Sequence, residues 1–157
     1  MESMEMKYAA IRACASVVAF FAASVAFQAS AAEKDVSPVD VVGMGVQVLQ
    51  QIDGGQVGWV WDNASPVLKT QVSKEHFGGK SLERRRGFTA IGDRVWVTVS
   101  RNRFPQAAPP APPAGFYANV VFVTPGAAGD SLSELVSFRL ESDNKWRITG
   151  YVPEIRK

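Results

Sequence analysis

Six arginines lie within the 24 residues of the segment SLERRRGFTAIGDRVWVTVSRNRF (81–104), and arginine readily pairs with phosphate. A nucleic-acid surface needs several cations on one face, interleaved with aromatic side chains that stack on bases. The three consecutive arginines, 84–86, would point about 100° apart on a helix. Trp96 and Phe104 are the aromatic side chains of the following strand. We therefore predict solvated charges, with one buried arginine tying a helix to the sheet, and no nucleic-acid partner.

Histidine and cysteine offer little further chemistry. His76 is the single histidine, and Glu75 is the only possible ligand beside it in the segment KEHFGG, which is too few for a zinc site. An imidazole can still act as a general base near neutral pH. The single cysteine, Cys14, lies in the segment that we predict below to be removed. The sequence thus predicts no metal and no other cofactor.

The carboxylates are scattered and show no repeated pair of the kind that a glycosidase site requires. One arrangement could still perform acid–base chemistry, namely an Asp or Glu buried beside a tyrosine in a cone between helices and sheet. Asp62 with Tyr117 or Tyr151 is the candidate pair. This arrangement defines the alternative function considered below.

Helices in the first half of the chain and strands in the second must position these residues. Ser37 is a candidate N-cap, and apolar residues recur after it at spacings of three and four. Further helical stretches extend to about residue 90, with HFGGKS (76–81) as an interruption before a short helical turn. From Asp93 the apolar period changes to two in four runs that end near residue 153, and a proline-rich loop (105–115) separates the first two. This order predicts an α+β fold, with N-terminal helices packed on a four-stranded antiparallel curved sheet.

One face of the predicted sheet is wetter than the other, yet it is rich in aromatic and apolar side chains. Strict alternation places five partner-binding candidates on it: Trp96, Tyr117, Arg139, Arg147 and Tyr151. Trp, Tyr and Arg are the residue types enriched at contact hot spots. The alternative is a second partial core beneath the proline-rich loop. The same alternation directs Trp146 towards the helices.

Residues 1–31 have the features of a cleaved secretory signal peptide. Two basic residues precede an uncharged stretch from Ala13 to Phe27, and Ala29 and Ala31 fit a small-residue cleavage site. A membrane-spanning helix needs about 20 apolar residues, which makes an uncleaved anchor the weaker interpretation. We therefore predict a periplasmic or secreted single domain (32–157) that has no membrane association in its mature form.

Three segments carry a resemblance to a known family: WDNASPVLK (61–69), RRRGF (84–88) and NKWRITGYV (144–152). They resemble the small secreted bacterial proteins of domain of unknown function 4019, and the likeness runs from about Val41 to Val152. The resemblance implies a cystatin-like or nuclear-transport-factor-like shape and no established activity. The proline-rich loop departs from the family pattern, which has a shorter turn there.

These observations favour an exported bacterial binding or interaction module that is not catalytic. Its partner would be an unknown protein or a small-molecule ligand, and a homodimer through the sheet face is one arrangement. The formal net charge of +2 provides no strong field to attract nucleic acid or an anionic membrane. The alternative is a small acid–base enzyme with the carboxylate–tyrosine site described above.

Overall fold

A computed structural model describes residues 36–106 and 112–157. The predicted signal peptide and residues 107–111 of the proline-rich loop lie outside the described residues. Four helices precede four strands: α1 (Pro38–Asp53), α2 (Val57–Asp62), α3 (Pro66–Gln71), α4 (Lys74–Arg85), β1 (Val95–Phe104), β2 (Gly115–Pro125), β3 (Ser131–Leu140) and β4 (Trp146–Arg156). The strands pair in the order β1-β2-β3-β4, and every pair is antiparallel. The predicted α+β architecture is confirmed, while the cystatin-like shape stays a prediction.

Serine side chains begin three of the helices. Ser37, Ser65 and Ser73 each accept a hydrogen bond from a backbone N–H in the first turn of α1, α3 and α4 respectively. Ser65 also joins α3 to the sheet, because its backbone N–H donates to the carbonyl of Ile148 at 2.8 Å. No helix within the described ranges is long and apolar enough to cross a membrane.

The predicted interruption at HFGGKS (76–81) is wrong, because α4 is continuous from Lys74 to Arg85. Its two internal glycines weaken the intrinsic helix propensity of this segment. Burial of Phe77 and Ser81 outweighs that weakness, and the Ser81 hydroxyl donates to the carbonyl of Phe77 at 2.6 Å. Tertiary packing therefore decides the local structure here.

The core lies between the helices and one face of the sheet. Its buried residues include Val41, Leu49, Ile52, Val60, Leu68, Phe77, Val120, Phe122, Val136, Phe138 and Ile148. Gly45 lets α1 approach β2 closely, since a Cβ added there would stand 2.7 Å from atoms of Phe122 and Val120. Trp146 packs against this core as predicted.

Two bulges interrupt the alternation of the strands. In β1, Trp96 pairs with Phe122 and Thr98 with Val121, so that Val97 is the extra residue. In β4, Ile148 pairs with Phe138 and Gly150 with Ser137, so that Thr149 is the extra residue. An extra residue reverses the face of every side chain beyond it.

The bulges change which of the predicted residues lie on the wetter face. Trp96 shares the helix-packed face with its partner Phe122, and Tyr151 shares that face with its partner Val136. The interpretation that placed Trp96 and Tyr151 on the opposite face is therefore wrong. Tyr117, Arg139 and Arg147 lie on that opposite face, as predicted.

Candidate functional site

The sheet brings three predicted candidates together in one row of the face turned away from the helices, which we call the open face. Tyr117 pairs directly with Arg139 across β2 and β3, and Arg139 pairs directly with Arg147 across β3 and β4. Directly opposed side chains of an antiparallel pair interact at short range. The row therefore forms one continuous feature on three adjacent strands.

Tyr117 belongs to a small second core on the open face. Its hydroxyl donates to the carbonyl of Pro113 at 2.8 Å, and its buried ring meets Phe104 edge-to-face with the centroids 5.4 Å apart. The guanidinium of Arg139 lies 5.9 Å from the centre of the Tyr117 ring and donates to the carbonyl of Ala114 at 3.0 Å. This arrangement matches the alternative of a partial core beneath the loop.

Arg139 and Arg147 face each other at the end of the row, and each forms an ion pair with a different carboxylate. Arg139 donates to Glu141 at 2.6 Å, and Arg147 donates to both oxygens of Asp143 at 2.8 and 2.7 Å. The hydrogen bonds from Arg147 lower the pKa of the Asp143 carboxyl to about 2. The two ion pairs relieve the repulsion that opposed arginines would otherwise exert.

A buried charge cluster lies on the helix-packed face. Its members are Asp53, Arg85, Arg94, Glu134 and Tyr151. Glu134 is fully buried, and it accepts hydrogen bonds from the Tyr151 hydroxyl at 2.6 Å and from Arg94 Nε at 2.8 Å. Asp53 accepts from Arg85 at 2.5 Å and from Arg94 at 2.8 Å. The cluster links α1, α4 and the segment before β1 to the strands β3 and β4. Arg85 and Arg94 both pair with Glu134, where the sequence predicts a single arginine between helix and sheet.

The contacts of Glu134 determine what the cluster can do chemically. Burial, and then the charge and the hydrogen bond of Glu134, raise the pKa of Tyr151 above its ordinary value, so its hydroxyl is a poor proton donor at neutral pH. Both carboxylate oxygens of Glu134 are already engaged, one by Tyr151 and one by Arg94. The arrangement therefore favours an electrostatic tie over acid–base chemistry.

Asp62, the carboxylate that the sequence suggests for this role, lies elsewhere. Asp62 forms a surface ion pair with Lys74 at 2.6 Å, and both side chains are substantially exposed. The carboxylate beside a tyrosine is Glu134, which has the same strand phase as Val136 and Phe138. This position in the alternation of β3 is the signal in the sequence that could have identified Glu134, because a carboxylate that faces the core requires a buried partner.

An apolar cavity of about 290 Å³ lies between α1, α2 and the strands β3 and β4. We call it the Trp pocket, and its apolar lining consists of Met44, Val48, Trp59, Val60, Phe138, Trp146 and Ile148. Trp59 remains 53% exposed. Trp59 is not among the residues predicted from the sequence. It lies off the apolar stripe of its helix, and such a position indicates an exposed aromatic side chain.

The two edges of the sheet pack against different helices. α3 and α4 pack against β4, α1 packs against β1, and neither edge has a further strand on its outer side among the described residues. Three consecutive apolar residues of β1, Val95, Trp96 and Val97, are 53%, 55% and 52% exposed. We call these three residues the β1 surface. Arg101 and Arg103 follow on the same strand.

Within the described part of the chain, no group of three or more His, Cys, Asp or Glu side chains is placed to hold a metal ion. His76, the histidine considered as a general base, is exposed on α4.

Comparison with known proteins identifies a family but no activity. Residues 44–151 match the family described as protein of unknown function (DUF4019), and the chain belongs to that family. No curated protein and no solved structure matches the chain.

Proposed function

We propose that this member of the DUF4019 family is an exported, non-catalytic interaction module that binds a protein partner through the β1 surface. The observation that carries the proposal is the exposure of Val95, Trp96 and Val97, each more than half exposed on an edge strand of the sheet. Val95 pairs with Val123 and Trp96 with Phe122, so the exposed apolar surface extends around the strand from one face of the sheet to the other. Large exposed apolar patches mark contact sites. Tryptophan is among the residue types that contribute most to contact energies.

The bulge in β1 indicates how such a partner is recognised. An incoming strand would have to extend the hydrogen-bond ladder of β1, and the extra residue Val97 disrupts that ladder locally. We therefore expect side-chain contacts with Trp96 and the flanking valines to dominate over sheet extension.

The charges along β1 indicate the chemistry of the partner surface. Arg103 is exposed, and its guanidinium lies 5.1 Å from the centre of the Phe116 ring. A partner with an apolar centre and an acidic rim would complement both the exposed valines and this arginine. A second copy of the chain fits less well, because a two-fold interface would bring two identical arginine-bearing surfaces together.

Binding measurements with Trp96 variants test the proposal. A partner captured from periplasmic extract is purified, and its affinity for the wild-type protein is compared with that for Trp96→Ala. We expect Trp96→Ala to weaken binding by a factor of about 30, which corresponds to about 2 kcal/mol. Trp59→Ala is the matched control, because Trp59 is 53% exposed and lies in the Trp pocket rather than on β1. Unchanged binding by both Trp96→Ala and Val97→Lys would contradict the proposal.

The Trp pocket supports a second candidate function, the binding of a small apolar ligand. The supporting observation is a cavity of about 290 Å³ between two tryptophans, whose polar lining residues are Gln47, Gln50, Gln51, Asn63 and Arg147. Ligand sites combine an apolar lining with polar groups that fix the orientation of the ligand. An apolar fluorescent dye should bind the wild type and Trp96→Ala alike but bind Trp59→Ala more weakly. Equal dye binding by all three proteins would remove the support for this second function.

A further inference from the structure

A second groove, separate from the β1 surface and the Trp pocket, lies where α3 and α4 meet β4. Its volume is about 310 Å³. We call it the α4 groove, and its apolar lining consists of Leu68, Val72, Phe77, Val152 and Pro153. Val152 is 43% exposed, which leaves apolar surface open to a ligand. Because β1 and β4 are opposite edges of the sheet, this groove is independent of the proposed β1 contact.

One wall of the α4 groove carries a row of basic side chains, His76, Lys80 and Arg84. A spacing of four residues places them on the same side of α4, with successive side chains about 6 Å apart along the helix axis. Arg84 and the His76 imidazole make no hydrogen bond or ion pair among the described residues. Lys80 contacts Glu83 at 3.1 Å, and both side chains are more than half exposed, so this surface pair is weak.

The combination of a basic wall and an apolar floor defines the chemistry of the ligand. An apolar ligand without charge would leave the three basic groups unused, and a purely acidic ligand would leave the floor exposed. In an extended peptide, side chains on one face recur about every 6.8 Å, which is close to the spacing of the basic row. A fatty acid carries one carboxylate and would engage a single member of the row.

We propose that the α4 groove binds an extended peptide segment of a partner protein in which acidic and apolar residues alternate. The acidic side chains pair with Lys80 and Arg84, while the apolar side chains on the other face of the segment cover Val152 and its neighbours. The site goes beyond the proposed function, since it does not depend on the β1 surface.

Fluorescence anisotropy with a labelled hexapeptide of alternating glutamate and valine tests this site on the exported protein. Arg84→Glu should weaken binding at least about tenfold, because it reverses one charge of the row. Lys145→Glu is the matched control, since it makes the same charge reversal in the turn before β4, outside the lining of the groove, and should leave binding unchanged. Val152→Lys should weaken binding by placing a charge on the apolar floor. Thermal melting verifies that each variant is folded.

Three results would overturn the proposal. Wild-type affinity in both Arg84→Glu and Val152→Lys would show that the peptide binds elsewhere. Equal affinity for a hexapeptide of glutamate alone would show that only charge attraction operates. Full displacement of the peptide by a long-chain fatty acid with higher affinity would assign the groove to a lipid. Failure of the Trp96 experiment would leave this proposal intact, because the two sites lie at opposite edges of the sheet.

Discussion

At the scale of single residues, two glycines of α1 have opposite surroundings. A Cβ added at Gly45 would stand 2.7 Å from the buried Phe122 and Val120 side chains, whereas a Cβ at Gly43 would meet nothing within 4 Å. Overpacking a core costs about 1–3 kcal/mol, and replacing a helical glycine with alanine contributes up to about 1 kcal/mol of stability. The two substitutions should therefore differ in sign.

We predict that Gly45→Ala lowers the free energy of unfolding and that Gly43→Ala raises it by up to about 1 kcal/mol. Urea unfolding of the two variants and the wild type measures both effects. If Gly45→Ala were as stable as Gly43→Ala, then α1 would not approach β2 as closely as the structure shows.

At the scale of elements, the phase of β4 can be tested with two adjacent residues. Trp146 pairs with Leu140 on the helix-packed face and packs against the core, whereas Arg147 lies on the open face. We expect Trp146→Ala to destabilise the protein by about 2–4 kcal/mol, since the side chain is only partly buried. Arg147→Ala should alter stability little, because it removes only a surface ion pair. Urea unfolding of the two variants shows which substitution is more destabilising. If Arg147→Ala lost more stability than Trp146→Ala, the assignment of these two residues to opposite faces of β4 would be wrong.

The elements also show which parts of the structure could be predicted from the sequence. Periodicity predicted the helices-then-strands order and the inward direction of Trp146. The turn before β4 also has a local signal, because Asp143 and Asn144 are residue types that favour turns and Asn144 adopts a left-handed φ of 59°. These features depend on local patterns, and local patterns are visible in a single sequence.

The remaining features depend on contacts between distant residues. The bulges at Val97 and Thr149 arise from the pairing of neighbouring strands, so alternation alone misplaced Trp96 and Tyr151. Arg94 reaches Glu134 across 40 residues of sequence, and no spacing rule relates the two. Alternation therefore predicted the correct face for Tyr117, Arg139 and Arg147, and the wrong face for the two candidates whose position depends on a bulge.

At the scale of the whole molecule, export is predicted from the first 31 residues. Their basic, apolar and small-residue order is that of a signal peptide with cleavage after Ala31. Intact-mass measurement of the secreted protein should give an N-terminus within one or two residues of Ala32. Recovery of the full-length chain from the membrane fraction would contradict this prediction.

The charge cluster connects the helix layer to the sheet, and its member Asp53 makes the stability of the whole domain depend on pH. Burial acts to raise the pKa of Asp53, but hydrogen bonds from Arg94 and Arg85 outweigh it, so the pKa lies below its ordinary value. A lowered pKa means that the folded state binds this proton more weakly than the unfolded state. The resulting stability is present above the unfolded pKa of about 3.9, and it is lost as the pH falls through the folded value.

We predict that Asp53→Asn lowers stability at neutral pH by on the order of 1 kcal/mol, because solvent screens this partly exposed group. The variant should also lose less stability than the wild type when the pH is lowered from about 5 towards 2, since it lacks one proton-binding group that favours the unfolded state. Urea midpoints measured across this range test both effects. Asp93→Asn is the control for the loss of a surface carboxylate, because Asp93 makes none of the cluster's contacts. If the stability of Asp53→Asn fell as steeply with decreasing pH as that of Asp93→Asn, then Asp53 would not couple the helices to the sheet through its charge.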